Sequence, residues 1–217
     1  MKKTITITLI LLLCLGFLTG CGTESQTENK KESSGAVTTT ITAKPTYSVK
    51  SFKVEATVPG EEKENDEGEK EIEPKYKIAT SGLKYSNADV GIIGDKVEFD
   101  FDYGTYVYNS FAQYKEKYGT KEVNYDNYLE FLKDESLDSV KATQKDFEEV
   151  KFAGYDAIRY NYSGRMIYVI KCDELDSSRC FQCWVCAVNK DDKVEDLINE
   201  DSIKEVMESF VISSYNK

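Results

Sequence analysis

The sequence contains no histidine. This absence excludes catalysis by Ser-His-Asp or Cys-His groups, and it removes the side chain that most often binds transition metals. The chain also lacks the G-x-S-x-G pattern of many hydrolases, the phosphate-binding loop of P-loop proteins and the G-x-G-x-x-G pattern of dinucleotide-binding proteins. We therefore expect a protein that is not an enzyme and that uses no cofactor.

Positive charge is scarce relative to negative charge. The chain has 28 lysine and arginine residues against 39 aspartate and glutamate residues, and its formal net charge is −11. Proteins that bind nucleic acids neutralise phosphates with clustered lysine and arginine, so we expect no nucleic-acid partner. An anionic membrane surface would also repel this chain, so attachment to a membrane would require a lipid.

The N-terminus has the features of an export signal. Two lysines at positions 2 and 3 precede an apolar run from Ile5 to Leu18, which is too short to span a membrane stably. The run ends in L-T-G-C at residues 18–21, which resembles the lipobox of bacterial lipoproteins, whose cysteine is thioether-linked to diacylglycerol. A secretory signal with a chance cysteine is the alternative. We predict a signal peptide at residues 1–20, lipidation at Cys21 and an extracytoplasmic, membrane-anchored protein.

The composition changes twice after Cys21. Residues 21–46 lack aromatic side chains and are rich in Thr, Ser, Glu and Lys, which predicts a flexible tether after the lipidated cysteine. Residues 47–217 are enough for one globular domain. Within them, residues 60–74 hold eight acidic residues and two lysines. We interpret this segment as a solvated acidic loop, because a calcium-binding EF-hand loop would need alternating ligands and a distal glutamate.

One segment alternates strictly between apolar and acidic side chains. Its apolar residues face one way and its acidic residues face the other: Val97, Phe99, Phe101 and Tyr103 against Glu98, Asp100 and Asp102. Three carboxylates in a row on one face of a strand could hold a cation. The alternative, which we expect, is the water-exposed face of an antiparallel strand.

The order of the predicted elements indicates the fold class. Strands near the start are followed by two helices at residues 110–119 and 124–135, a meander of strands at residues 147–188, and a C-terminal helix from Ser202. This order predicts an α+β fold, with an antiparallel sheet flanked by helices.

Three segments carry a resemblance to a known family: FAGYDAIRYNYSGRMIYVIKC, CFQCWVCAV and DSIKEVMESFVI. They are similar to PsbP-like domains and to small clostridial lipoproteins with the same C-terminal pattern. The resemblance implies an α/β/α sandwich whose members mostly bind other proteins, and it transfers no functional residue.

The sequence therefore predicts a lipid-anchored, non-enzymatic domain that binds a protein or another envelope component. One alternative is a solute-binding lipoprotein, which would need a preformed apolar pocket. A second alternative is an envelope hydrolase, which would need a cleft with two carboxylates, one of them with a raised pKa.

Four cysteines lie within fifteen residues. If residues 165–172 and 180–188 form a hairpin with a seven-residue loop, Cys172 lies opposite Cys180, and the two can form a disulfide. Side chains alternate along a strand, so Cys183 points away from Cys180 and Cys186, which argues against a tetrahedral zinc site. We predict at most this one disulfide, no metal site, and free thiols at Cys183 and Cys186, at least one of them buried.

Overall fold

The computed structural model describes residues 37–46, 52–104, 106–107, 122–132 and 147–215. Strands make up 52% of the structure, and most of them form two antiparallel sheets. The predicted α+β sandwich, a sheet flanked by helices, is wrong. A second sheet packs against the main one, because segments assigned to a tether and a loop form strands instead.

The small sheet contains β1 (Thr38–Ala43), β2 (Phe52–Glu64), β3 (Lys70–Pro74) and β13 (Val211–Ser214). The large sheet contains β4 (Lys77–Ala79), β5 (Val90–Ile93), β6 (Val97–Gly104), β9 (Phe147–Phe152), β10 (Tyr155–Tyr162), β11 (Arg165–Ile170) and β12 (Cys180–Ala187). A two-stranded pair is formed by β7 (Tyr106–Val107) and β8 (Glu122–Val123). The described helices are α1 (Tyr125–Leu132), α2 (Val194–Leu197) and α3 (Asp201–Glu208).

The large sheet runs in the order β4-β5-β6-β12-β11-β10-β9. Its meander from β9 to β12 confirms the predicted strands, and β9 lies at the edge as expected. The turn between β10 and β11 is built by Ser163 and Gly164, whose φ angles of 54° and 74° match the tight turn of a two-residue hairpin. Strands β6 and β12 lie in the middle and are buried on both faces.

The small sheet begins inside the predicted tether. Strand β1 pairs antiparallel with β2, with Ala43 opposite Val54, and Ile41 and Ala43 are buried. The segment TTTITA consists largely of β-branched residues, which favour extended backbone. The tether prediction for residues 21–46 is therefore wrong at Thr38–Ala43, because overall composition concealed this short strand.

The acidic segment 60–74 is not a loop. It forms the outer part of the β2–β3 hairpin, which we call the acidic hairpin. The Asn65 side chain closes its turn by accepting hydrogen bonds from the backbone of Glu67 and Glu69, at 3.0 and 2.8 Å. Lysines pair with glutamates along the hairpin: Lys63 with Glu73, Lys70 with Glu62, and Lys75 with Glu61. Opposite charges across paired strands offset part of the repulsion, which is why so acidic a sequence forms strands.

The main core lies between the two sheets. Phe52 of the small sheet meets Phe181 of the large sheet edge to face, with ring centroids 5.1 Å apart. Phe210 follows α3 and contacts Phe99 in the same way, also at 5.1 Å. Such aromatic pairs contribute about 0.5–1.5 kcal/mol beyond their buried area. We call the face of the large sheet that packs on this core the inner face.

Two of the three predicted helices are confirmed. Helix α1 covers much of the predicted helix at 124–135, and it begins with a reciprocal pair in which Asn124 and Asn127 accept each other's backbone N–H. Helix α3 confirms the predicted C-terminal helix and buries Ile203 and Val206. The helix predicted at 110–119 lies outside the described residues. None of the helices in the described ranges is long and apolar enough to cross a membrane.

Candidate functional site

The row of carboxyl groups on β6 lies on the outer face of the large sheet, opposite the inner face. Glu98, Asp100 and Asp102 are 4%, 0% and 7% exposed, so the predicted water-exposed face is wrong. The cause is a second layer: Tyr85 and, from α1, Tyr128 pack on this face around Trp184 and Gln182. Buried carboxylates are costly unless they are hydrogen-bonded, so the partners of these groups decide their role.

Residues 83–89 form a cover segment over two of the three carboxyl groups. The backbone N–H of Lys84 donates to Glu98 Oε1 over 2.7 Å, and the backbone N–H of Tyr85 donates to Asp100 Oδ2 over 2.8 Å. The Lys84 Nζ atom donates to the carbonyl of Val188, and Arg165 donates to the carbonyl of Lys84, at 2.9 and 3.1 Å. The cover segment is thus hydrogen-bonded to β6, to β11 and to Val188, the residue that follows β12.

Asp100 has one satisfied oxygen and one buried oxygen without a partner. Within the described residues, Asp100 Oδ1 is buried and has no hydrogen-bond partner. It lies over Gly91, where an added Cβ would come within 2.8 Å of Oδ1 and 2.5 Å of the Leu83 side chain. Gly91 is therefore required here for space, because any larger residue would displace Asp100 or the cover segment.

Burial raises the pKa of Asp100 to about 8. The Tyr85 N–H opposes this effect, and the negative charge of Glu98 adds to it. The Arg165 guanidinium lowers the pKa in turn. At neutral pH Asp100 therefore carries a proton beside the Glu98 carboxylate.

Aromatic side chains cover the same face next to Asp100. The rings of Tyr85 and Trp184 stack with centroids 4.0 Å apart and planes inclined by 8°. Tyr162 meets Trp184 edge to face at 6.4 Å, and the Arg165 guanidinium lies 6.0 Å from the centre of its ring. Trp184 lies directly opposite Asp100 in the β6–β12 register, so the cover segment seals both residues together.

A chain of hydrogen bonds continues along β12 away from the carboxyl pair. Trp184 Nε1 donates to Gln182 Oε1 over 2.9 Å, and Gln182 Nε2 donates to the Tyr128 hydroxyl over 2.8 Å. The Tyr128 and Tyr160 hydroxyls are 2.9 Å apart. Such a satisfied buried network fixes the position of Trp184 relative to α1.

The arrangement can hold a proton, but it does not offer a substrate a place to bind. A carboxylic acid with a raised pKa next to a carboxylate is the chemistry of an acid–base pair. However, Asp100 is fully buried beneath Leu83 and Tyr85. The cleft that the hydrolase alternative requires is missing at this carboxyl pair.

The disulfide that the sequence allows between Cys172 and Cys180 is not formed, and both thiols are free. Strand β11 pairs with β12 so that Val169 faces Gln182 and Ile170 faces Phe181, which is one residue away from the predicted register. A shift of one residue moves a side chain to the other face of a sheet. Cys172 accordingly lies in the main core, and Cys180 lies in the core of the outer face.

The prediction for the other two cysteines is confirmed. Cys183 and Cys186 are free and buried, and Cys183 lies on the inner face, away from Cys180 and Cys186. Burial raises the pKa of the Cys183 thiol well above its usual range, and that of the Cys186 thiol to about 12. Among the residues that the structure describes, no group of three or more histidine, cysteine, aspartate or glutamate side chains is arranged to hold a metal ion.

A small pocket of about 40 Å³ lies beside Cys172. Its two cationic side chains are already close to acids, since Lys171 Nζ is 3.7 Å from Asp126 and Arg179 Nε is 3.8 Å from Asp176. Pockets for small-molecule ligands usually hold about 300–1,000 Å³ and are mainly apolar. This pocket therefore does not supply the site that a solute-binding protein would need.

One predicted site residue lies beyond the described structure, and three residues of the site were not predicted from the sequence. Cys21 lies outside the described residues, and its lipidation remains a prediction. Gly91, Tyr85 and Arg165 complete the surroundings of Asp100, although no local pattern in the sequence marks them.

Comparisons of the chain with protein-family models, with curated proteins and with solved structures give no match. The resemblance to PsbP-like lipoproteins likewise remains a prediction.

Proposed function

We propose that the chain is a lipid-anchored, extracytoplasmic domain that binds a protein or another component of the bacterial cell envelope, without catalytic activity. The observation that carries the non-catalytic part is the complete burial of Asp100 beneath the cover segment. Its pKa near 8 would suit a catalytic acid, but a catalytic acid must contact its substrate.

The anchor is supported by the L-T-G-C sequence at residues 18–21 after a short apolar run. Two acyl chains hold a protein stably at a membrane, whereas a single chain is marginal. The acidic hairpin and the net charge of −11 would be repelled by anionic lipids. A lipid on Cys21 therefore provides the attachment that the protein surface opposes.

The exposed acidic hairpin supports a partner of opposite charge. Its glutamates are exposed on strands that pair at the outer end of the small sheet, and its turn is fixed by Asn65. Electrostatic complementarity of this kind mainly accelerates association, and it weakens as the salt concentration rises.

Crosslinking in the membranes of the native host tests this function. We expect the parent protein to be retained in the membrane fraction and to crosslink to a defined partner. The Cys21→Ala variant should lose membrane retention and most of that crosslink. Parent and variant behaving alike in fractionation would contradict the anchor. A crosslink pattern no different from that of an unrelated lipoprotein would contradict the binding role.

A further inference from the structure

Asp100 Oδ1 is a buried carboxyl oxygen for which the described residues provide no hydrogen-bond donor. An unsatisfied charged group in a protein interior is strongly unfavourable, so such atoms are rare and need an explanation. A proton on Oδ1 removes the problem, because the carboxyl group then becomes a donor. The acceptor beside it is the Glu98 carboxylate, which lies two residues along the same face of β6.

Each carboxyl group of this pair also holds the cover segment. Glu98 accepts from the Lys84 N–H and Asp100 accepts from the Tyr85 N–H, two adjacent donors of one short stretch of backbone. Leu83 lies over Gly91 next to Asp100 Oδ1, and Tyr85 lies on Trp184. The proton pair and the aromatic cover therefore depend on the same three residues, Leu83 to Tyr85.

We propose that one proton shared by Glu98 and Asp100 keeps the cover segment closed over Trp184, and that loss of this proton to solvent opens the segment and exposes the aromatic outer face. Without the proton, two carboxylates lie side by side in an apolar site. Water can relieve their repulsion, and it can reach them when Leu83 and Tyr85 move away. This switch goes beyond the proposed function and does not depend on the anchor or the partner.

Several charged or titratable groups lie on the elements around Asp100. They are Glu98 and Asp102 on β6, Cys183 and Cys186 on β12, Arg165 on β11, and Lys84 and Tyr85 on the cover segment. Burial keeps the two thiols neutral in the relevant range by raising their pKa values. Arg165 and Lys84 are the cations of this set, and they donate hydrogen bonds to the backbone carbonyls of Lys84 and Val188, respectively.

The pKa of Asp100 in the closed and open states determines how opening of the cover segment depends on pH. The pKa of Asp100 is about 8 beneath the closed segment, and it approaches the ordinary value of 3.8 when the segment is open. The ratio of open to closed protein therefore rises about tenfold per pH unit between these values, and it levels off above about pH 8. Acidic conditions close the segment, and alkaline conditions open it.

Fluorescence provides a direct test, because Trp184 is the one tryptophan of the chain. We would measure acrylamide quenching of the full-length protein in detergent between about pH 5 and about pH 9, where a tyrosine with the ordinary pKa near 10 is still mostly protonated. The quenching constant of the parent should rise about twofold or more as the pH increases toward 8, and it should level off above about pH 8. Asp100→Asn keeps an acceptor for Tyr85 and gains an N–H donor for Glu98, so its quenching should stay low throughout.

Two further variants complete the test. Glu149→Gln removes an exposed carboxylate of the same sheet, and its profile should follow the parent. Glu98→Gln removes the charge that raises the Asp100 pKa, so its rise should occur at lower pH. A pH-independent quenching constant in the parent would overturn the proposal. A rise in Asp100→Asn equal to that in the parent would overturn it as well, since Asp100 would then not be the titrating group.

Discussion

The backbone N–H of Tyr85 donates to Asp100 Oδ2 over 2.8 Å, while the Tyr85 ring stacks on Trp184 at 4.0 Å. Tyr85 is therefore hydrogen-bonded to the buried Asp100 and stacked on Trp184, the residue opposite Asp100. The arrangement explains how Glu98 and Asp100 are tolerated on a central strand, because each accepts a hydrogen bond from a backbone N–H of the cover segment.

Gly91→Ala tests the packing over the carboxyl pair. The added methyl group would lie 2.5 Å from the Leu83 side chain and 2.8 Å from Asp100 Oδ1, so one of them must move. We expect a loss of about 1–3 kcal/mol in the free energy of unfolding, measured by urea denaturation. Gly104→Ala is the matched control, because its nearest neighbour, Asp102 Oδ1, is 4.0 Å away, and it should cost about 1 kcal/mol or less. Equal losses in the two variants would show that the space above Gly91 is not limiting.

The stability of the parent should depend on pH through Asp100. Its folded pKa of about 8 lies above the ordinary value of 3.8, so its contribution is fully present below about pH 4. Between about pH 4 and 8 the unfolded chain has lost this proton and the folded chain retains it, so the free energy of unfolding falls as the pH rises. The fall ends when folded Asp100 ionises.

Denaturation at a series of pH values isolates this contribution as the difference between the parent and Asp100→Asn. We expect the free energy of unfolding of the parent to fall relative to that of Asp100→Asn from pH 4 to pH 8. Above pH 8 the difference between the two proteins should stay constant. Lowered pKa values at exposed acids such as Asp156 act equally on both proteins and cancel. A difference that does not change with pH would mean that Asp100 is ionised in the folded protein.

The four cysteines from Cys172 to Cys186 should behave as protected thiols. All four are free and buried, and burial raises the pKa of each. Because the thiolate is the reactive form, alkylation without reductant should be slow in the native protein and complete in denaturant. Mass spectrometry would then find four alkyl groups on this segment. A peptide with an intact Cys172–Cys180 bridge would mean that the β11–β12 register is wrong.

The acidic hairpin should contribute little to the stability of the rest of the protein. Its ion pairs are largely exposed, and exposed pairs typically contribute less than about 1 kcal/mol each. Replacing residues 61–73 with a short Gly-Ser turn should leave the melting temperature within a few degrees, while lowering partner crosslinking. The control is the parent in high salt, which should weaken crosslinking in the same way. Loss of folding, or a calcium-dependent melting temperature that the replacement abolishes, would refute this assignment.

Local patterns predicted the strands of the meander and the turn at Ser163-Gly164, because both depend on neighbouring residues. The register of β11 and β12 could not be predicted from loop length. The connection contains two successive turns, in which Leu175 bonds back to Cys172 and Arg179 bonds back to Asp176. The observed register differs by one residue from the register that sets Cys172 opposite Cys180. This shift places the two cysteine side chains on opposite faces of the sheet.

The outer face shows a second limit. Alternation from Val97 to Tyr103 correctly assigned the side chains to two faces, but it did not indicate what covers either face. The groups that bury Glu98 and Asp100 come from Lys84 and Tyr85, fourteen and fifteen residues earlier. The small sheet could not be predicted for a similar reason. Strand β1 is formed by a segment whose overall composition suggested a tether, and its pairing with β2 depends on residues farther along the chain.

The most direct test of the account is the mass of the N-terminal peptide of protein extracted from the membranes of its own host. The account predicts a peptide that begins at Cys21 and carries a thioether-linked diacylglycerol, with residues 1–20 removed. A peptide that retains residues before Cys21, or an unmodified cysteine at that position, would contradict the claim that this chain is a lipid-anchored envelope protein.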